Sequence, residues 1–195
     1  TDYATSASTL TILSGNKTGS LTFTLTDDSI YEGDETISFS AFSITGDATY
    51  TSQSPSASFT ITENESAPTV TLTSSASSVA ENGSALTLTA TLSAVTQENV
   101  TVSISTSGTG TEGTDYATVF DITIVAGATT GTASFTPTND SIYEGNETGI
   151  IAIDTVSGGG GGVTENGTQA VTITITDDES APTVTLTSSA SSIAE

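Results

Sequence analysis

The feature that most constrains the fold of this chain is the alternation of apolar residues with Thr and Ser. It runs through "ALTLTATLS" (85–93), "NVTVSIS" (99–105), "FDITIVA" (120–126) and "QAVTITIT" (169–176). A period of two sends successive side chains to opposite faces, which is typical of a strand with one buried face. Threonine suits the exposed face because its β-branch packs well on a pleated sheet. No segment shows a convincing helical period, so the sequence predicts an all-β chain.

The second organising feature is an internal repeat. Three motifs each occur twice, 112 to 114 residues apart: "TDYAT" at 1–5 and 114–118, an acidic turn at 27–36 ("DDSIYEGDET") and 139–148 ("NDSIYEGNET"), and "ESAPTVTLTSSAS" at 65–77 and 179–191. The repeat is therefore about 113 residues long, which is the size of one sandwich domain.

Proline residues mark the boundaries between repeats. Pro68 and Pro182 follow "ESA" and restrain the preceding residue to an extended conformation, which indicates short, stiff junctions. We expect residues 1–66 to be the C-terminal part of a first repeat, 67–180 a complete repeat, and 181–195 the first strand of a following repeat. These boundaries, with a partial repeat on each side of the complete one, also predict that the chain is a segment of a longer repeat protein.

Seven short strands are predicted in the complete repeat, separated by turn signals. They lie near 69–73, 85–93, 99–105, 119–126, 131–136, 148–155 and 169–176. This number and spacing predict an immunoglobulin-like Greek-key β-sandwich. The run "SGGGGGV" (157–163) is predicted to be a flexible loop between the last two strands.

The charge of the chain excludes several classes of function. There are 23 acidic residues and one basic residue, Lys17, which gives a formal charge of −22. Such a field repels phosphates, so we expect neither nucleic acid nor an anionic membrane as a partner. No apolar run approaches the roughly 20 residues of a membrane helix. Because His, Cys and Trp are absent, an enzyme is not expected.

Three separated motifs carry a family resemblance. "GTDY" (113–116) is followed by an "AG" turn and a strand, then by "NDSIYEGNET" (139–148), and a last strand closes on "DD" (177–178). In this order and spacing the motifs resemble the Calx-beta domain. The resemblance implies an immunoglobulin-like sandwich that binds Ca²⁺ at the loops of one end.

The resemblance also implies which residues bind calcium. In the complete repeat the candidate ligands are Glu81, Asp115, Asp140, Glu144, Glu147, Asp177, Asp178 and Glu179. The matching residues of the first repeat are Asp2, Asp27, Asp28, Glu32, Glu35, Glu63 and Glu65. Asn139 and Asn64 depart from the pattern, since each replaces an acid of the other repeat and removes one negative charge. We expect Ile142 and Tyr143 to anchor the acidic turn in the core.

The residue types point to the same metal. Calcium takes six to eight hard oxygen ligands in flexible geometry, whereas zinc, copper and iron sites usually involve His or Cys. Acids from four separated segments converge if the sandwich is correct. The alternative is a solvated acidic loop that only keeps the protein soluble.

These observations predict a calcium-stiffened tandem spacer in a large extracellular adhesin or cell-surface filament. Its partners would be neighbouring repeats and other copies in a filament. The alternative function is a ligand-binding adhesive module that recognises ice or glycan through Thr rows such as 87–89 and 172–176. All seven Asn residues also lie in Asn-X-Ser/Thr sequons, which indicates either a glycosylated surface protein or the frequency of Thr in this chain.

Overall fold

The structure is a computed structural model that describes residues 2–5, 8–40, 45–46, 56–192 and 194–195. In these residues all regular secondary structure is β-strand, which confirms the predicted all-β class. The chain divides into two units, Thr1–Ile30 and Tyr31–Glu195. No helix among the described residues is long and apolar enough to span a membrane.

The first unit contains one antiparallel strand pair. Strand β1 (Tyr3–Thr5) pairs with β2 (Phe23–Leu25). The rings of Tyr3 and Phe23 lie across this pair, with centroids 6.1 Å apart. Such a cross-strand aromatic pair stabilises a short two-stranded sheet.

The second unit begins with the rest of the first repeat. Strand β3 (Glu35–Ser40) pairs antiparallel with β4 (Ser56–Ile61), so that Glu35 lies opposite Ile61. Phe39 and Phe59 stack on this hairpin with ring centroids 5.5 Å apart. The pairing holds the start of β3, next to the acidic turn, beside the end of β4.

The complete repeat forms two sheets of nine strands in total within the described residues. They are β5 (Thr69–Ser74), β6 (Ser78–Ala80), β7 (Leu86–Leu92), β8 (Val100–Gly108), β9 (Ile122–Ile124), β10 (Thr130–Phe135), β11 (Glu147–Gly158), β12 (Thr164–Glu165) and β13 (Ala170–Thr176). One sheet has the order β10-β7-β5-β12 and the other β6-β13-β11-β8-β9. The chain crosses repeatedly between the sheets, which is the connectivity of an immunoglobulin-like Greek-key sandwich.

The core lies between these two sheets and follows the alternation read from the sequence. Leu88, Ala90 and Leu92 of β7 are buried, while the intervening Thr89 and Thr91 lie on the other face. At one end of the core the rings of Tyr116 and Phe135 stack with centroids 4.8 Å apart, and both side chains are almost fully buried. Burial of this apolar face is the main driving force for folding of the repeat.

All seven predicted strands of the complete repeat are present, but two short strands were not predicted. The unpredicted strands are β6, which follows β5 but belongs to the other sheet, and β12, which adds to the edge of β5. Residues 183–188, whose sequence is identical to that of β5, form no strand, and Val184 and Leu186 are 98% exposed. The strand predicted within 181–195 is therefore absent from the described residues, because no neighbouring strand or core supports it there.

Candidate metal centre

The position of Glu81 depends on the unpredicted strand β6. This strand pairs in parallel with β13, with Ala80 opposite Thr176, so the carboxyl ends of both strands meet at one edge. The amide of Glu81 donates a hydrogen bond of 3.0 Å to the carbonyl of Thr176, which extends the ladder by one residue. Glu81 is thereby placed beside the acids that follow β13, although it is almost 100 residues away in sequence.

The first acidic group consists of Glu81, Asp178 and Glu179, each of which offers a carboxylate oxygen within 4.8 Å of the others. Glu81 is only 5% exposed. Its Oε2 and the Oε2 of Glu179 are buried and have no hydrogen-bond partner among the described residues. Burial of an unpaired carboxylate oxygen is costly, and burial next to like charges is more costly still.

The second acidic group consists of Asp115, Glu144 and Glu147, again with carboxylate oxygens within 4.8 Å of one another. Glu147 opens β11, and Glu144 lies in the acidic turn before it. Asp115 is held by the amide of Thr111, which donates to its Oδ2 at 2.6 Å. Each group brings together acids from two separated segments, and the two groups together draw on four.

Asp177 and Asp140 are used differently from the six acids of the two groups. The carboxylate of Asp177 accepts hydrogen bonds from the amides of Glu144 (2.7 Å), Gly145 and Glu179 (2.8 Å). Asp140 accepts the amide of Ile142 at 2.7 Å, which closes the start of the turn. Asp140 therefore shapes the acidic turn from within, and Asp177 holds the turn against the end of β13.

The first repeat uses the same hydrogen bonds. Glu63, the counterpart of Asp177, accepts the amides of Glu32 (2.5 Å), Gly33 (2.7 Å) and Glu65 (2.9 Å). The other candidate ligands of this repeat are divided between the units: Asp2, Asp27 and Asp28 belong to the first, and Glu32, Glu35, Glu63 and Glu65 to the second. Within the first unit, Asp28 accepts the amide of Ile30 at 2.8 Å, as Asp140 does with Ile142.

Mutual repulsion and burial shift the pKa values of these acids. Burial, and then the charges of Asp177 and Glu179, raise the pKa of Glu81 to about 7. Burial and neighbouring charges also raise the pKa of Glu144, Glu147 and Glu179. Burial alone would raise the pKa of Asp177, but its backbone hydrogen bonds outweigh that effect and lower it. The four glutamates of the two groups are therefore poorly accommodated as anions, whereas Asp177 is well accommodated.

These shifts predict how the stability of the metal-free protein depends on pH. The pKa of Glu81 rises from 4.5 to about 7 on folding, so the folded state holds a proton that the unfolded chain releases. The stabilisation is complete below about pH 4.5 and is lost as the pH rises towards 7. We expect thermal unfolding in chelator to occur at a lower temperature at pH 7.5 than at pH 5.

The pKa of Glu63 shifts in the opposite direction, and this shift determines how stability changes at low pH. Burial would raise the pKa of Glu63, but hydrogen bonds from the amides of Glu65, Glu32 and Gly33 outweigh it and lower the pKa from 4.5 to about 2. Stability is therefore lost again as the pH falls from about 4.5 to 2. The variant Glu81→Gln should flatten the profile between pH 5 and 7.5, and an unchanged profile would contradict the assignment to Glu81.

Two residues near the groups were not predicted from the sequence. Asn82 donates from Nδ2 to the Oδ2 of Asp178 at 2.6 Å, and Asn146 accepts the amide of Asp177 at 3.3 Å. The sequence did offer a signal for both residues, because Asn82 follows Glu81 and Asn146 lies inside the acidic turn. One prediction about the turn is wrong: Ile142 and Tyr143 do not anchor it in the core, since they are 60% and 46% exposed.

The fold and the site define the class of protein: an immunoglobulin-like β-sandwich repeat with clustered acids in loops at one end. Comparison with family models identifies the particular family: the model described as the Calx-beta domain matches residues 1–65 and 63–179. The matches cover most of the chain, which therefore belongs to the Calx-beta family. A comparison with curated proteins gives no match.

Solved structures of Calx domains are also similar to this chain. "Crystal structure of Apo-form Calx CBD1 domain" has 19% identity and a TM-score of 0.47, over 56% of this chain and 97% of that one. "Crystal structure of CBD12 from CALX1.2" has 18% identity and a TM-score of 0.48, over 56% of this chain and 45% of that one. "Crystal structure of calcium binding domain CBD12 of CALX1.1" has 20% identity and a TM-score of 0.43, over 52% and 41%.

Proposed function

We propose that the complete repeat binds Ca²⁺ at its two acidic groups and serves as a calcium-stiffened spacer. The observation that supports this most directly is the pair of buried, unpaired oxygens, Glu81 Oε2 and Glu179 Oε2. Above about pH 7, where Glu81 ionises, two such atoms in a group of three acids would be destabilising unless a cation neutralises them. The chain offers only Lys17 as a basic residue against 23 acids, so the cation must come from solution.

The donor set selects calcium among the common metals. Every side chain of both groups offers carboxylate oxygen, and the sequence contains no His or Cys. Calcium accepts six to eight such ligands with flexible geometry, whereas magnesium requires near-ideal octahedral geometry and gives up its water reluctantly. Carboxylates contributed by loops of different lengths therefore suit calcium better than magnesium.

The stiffening role follows from where the ligands lie in the chain. Glu81 directly follows β6, Asp178 and Glu179 follow β13, and Pro182 lies three residues after Glu179. A cation bound by these acids would connect two strand ends with the first residues of the linker. Restricting that linker would restrict the angle between consecutive repeats, which is the property that a spacer requires.

The setting that we propose for this spacer is outside the cell. Calcium sites of extracellular modules work at free concentrations of roughly 10⁻⁴ to 10⁻³ M, which tolerates a loop-built site of moderate affinity. Repeats of this kind would form part of a large adhesin or a cell-surface filament. The partners would then be neighbouring repeats of the same chain and other copies in the filament.

A second function is favoured by one specific surface. In the sheet β10-β7-β5, cross-strand register aligns two rows of threonines, which are Thr73, Thr89 and Thr132 in one row and Thr71, Thr91 and Thr130 in the other. Such an array could contact ice or glycan. However, the hydroxyls of Thr71 and Thr73 donate at 3.4 Å to the carbonyls of Thr91 and Thr89, which reduces their capacity to bind an external ligand. The spacer is therefore the function that we favour.

Calcium binding can be tested group by group with isosteric variants. Glu144→Gln removes one charge from the second group, and Glu81→Gln removes one from the first. Changes to residues around a metal's ligands typically lower affinity roughly 10- to 100-fold, so loss of a ligand charge should cost at least that much at its group. Isothermal titration calorimetry of the full chain would measure the loss.

The matched control is Asp154→Asn, which removes one charge from an exposed position on β11 outside both groups. It should bind calcium as the parent does. Affinity and stoichiometry that stay unchanged in both Glu144→Gln and Glu81→Gln would refute the assignment of the site. A uniform small loss in all three variants would show that only the overall charge matters.

A further inference from the structure

Tyr31, the tyrosine of the first acidic turn, packs against the complete repeat. Tyr31 is 9% exposed and belongs to the same hydrophobic core cluster as the sandwich residues. Its amide donates to the carbonyl of Val95 at 3.3 Å, and its carbonyl accepts the amide of Gln97 at 3.2 Å. These bonds form a parallel bridge between Tyr31 and Thr96, in the loop between β7 and β8.

The glycine run completes the surface that receives this turn. A Cβ at Gly162 would overlap the hydroxyl oxygen of Tyr31, and a Cβ at Gly160 would overlap the carbonyl of Glu32. A Cβ at Gly161 would meet nothing within 4 Å. The run predicted only as a flexible loop therefore has a steric function, because close approach of the preceding turn requires glycine at particular positions. We call residues 95–99 and 158–163 together the receiving surface.

The complete repeat presents the same turn with its two large apolar side chains exposed. "SIYEG" occurs at 29–33 and again at 141–145, and the backbone bonds that shape the two copies correspond. Yet Tyr143 is 46% exposed and Ile142 60% exposed, whereas Tyr31 is buried. Two adjacent large apolar side chains on a turn tip are unfavourable in water unless something covers them.

We propose that Tyr143 is an inter-repeat docking residue, which inserts into the receiving surface of a Calx-beta repeat that follows Pro182. The contact of Tyr31 with the complete repeat indicates the partner of Tyr143, because Tyr31 already occupies the receiving surface of the repeat that follows it. The spacing agrees, because Tyr31 precedes Pro68 by 37 residues and Tyr143 precedes Pro182 by 39. Each repeat would thus carry a tyrosine at one end and a receiving surface at the other. This contact uses no acidic group, so it does not depend on the proposed calcium function.

The test uses tyrosine nitration of the full chain and of an extended chain. In the extended chain, the sequence of residues 82–179 is appended after Glu195 with Phe in place of the second copy of Tyr143, which continues the repeat in register and leaves one tyrosine in that sequence context. Nitration sites and rates are measured by mass spectrometry. In chain 1–195 we expect Tyr143 to react and Tyr31 and Tyr116 to be protected. In the extended chain Tyr143 should react roughly tenfold more slowly, as expected for a group exposed only by local opening.

Glycine variants separate docking from general stabilisation. Gly162→Ala in chain 1–195 should expose Tyr31 to nitration, whereas Gly161→Ala, which has the same left-handed backbone, should not. Placed in the appended repeat, the same two substitutions should affect Tyr143 in the same way and leave Tyr31 protected. This pair also tests the receiving surface within the unextended chain, where Tyr116 reports that the core is folded.

Three results would overturn the proposal. One is equal reactivity of Tyr143 in the two chains while Tyr31 stays protected. Another is an equal effect of Gly161→Ala and Gly162→Ala on Tyr31. The third is protection of Tyr143 in chain 1–195 that increases with protein concentration, because a second copy of the chain, rather than a following repeat, would then cover the turn.

Discussion

Addition of saturating calcium to the metal-free protein at pH 7.5 is expected to raise its unfolding temperature by roughly 10 °C. A ligand at a hundredfold excess over its Kd stabilises the folded state by about 2.7 kcal/mol per site, provided that the unfolded chain does not bind it. The physical source is the repulsion within the two acidic groups, which the cation replaces with attraction. Differential scanning calorimetry in calcium and in chelator would measure the shift.

The variant Glu81→Gln distinguishes this mechanism from general screening of charge. Removal of one buried like charge should raise the unfolding temperature of the metal-free protein and reduce the further gain from calcium. Magnesium at the same concentration should stabilise much less, since it keeps its water. Identical melting curves in calcium, magnesium and chelator would leave an acidic spacer in which metal has no role.

Replacement of Phe135 by Ala is expected to destabilise the complete repeat by about 3–5 kcal/mol, which is the usual cost of truncating a buried Phe. Its ring is fully buried and stacks on Tyr116 with centroids 4.8 Å apart. Gly149 faces the same ring so closely that a Cβ there would lie 2.8 Å from it, so the surrounding backbone is already in contact and leaves a defined cavity when the ring is lost. Urea unfolding at saturating calcium, monitored by circular dichroism, would measure the loss.

Phe120→Ala is the matched control, because it deletes the same side chain at a site that is 74% exposed. Its effect should stay within about 0.5 kcal/mol of the parent. Equal losses in the two variants would contradict the core described here. A loss confined to Phe135→Ala would support the view that burial between the sheets, rather than strand propensity, stabilises the repeat.

Much of the candidate site could be predicted because the acids lie in short motifs at strand ends. The alternation of apolar residues with Thr located the strands, whereas the resemblance of the motifs to the Calx-beta domain gave Asp115, Glu144 and Glu147 as candidate ligands at one end. The motifs could not show which acids are candidate metal ligands and which shape the acidic turn. Asp177 and Asp178 are adjacent acids, but only the backbone hydrogen bonds of the folded turn assign Asp177 to the turn itself.

The identical segments of the chain mark the limit of sequence reasoning most clearly. "TVTLTS" is a buried strand at 69–74 and forms no strand at 183–188, where Val184 is 98% exposed while its counterpart Val70 is fully buried. In the same way "SIYEG" holds a buried Tyr31 and an exposed Tyr143.

The sequence by itself determined the all-β class, the repeat length and the two acidic turns, because alternation, repetition and turn chemistry can be read from the order of the residues. The tertiary structure decided which copy of each motif is buried. Apolar burial and ladder hydrogen bonds need a partner surface, and the neighbouring strand or repeat supplies that surface rather than the segment itself.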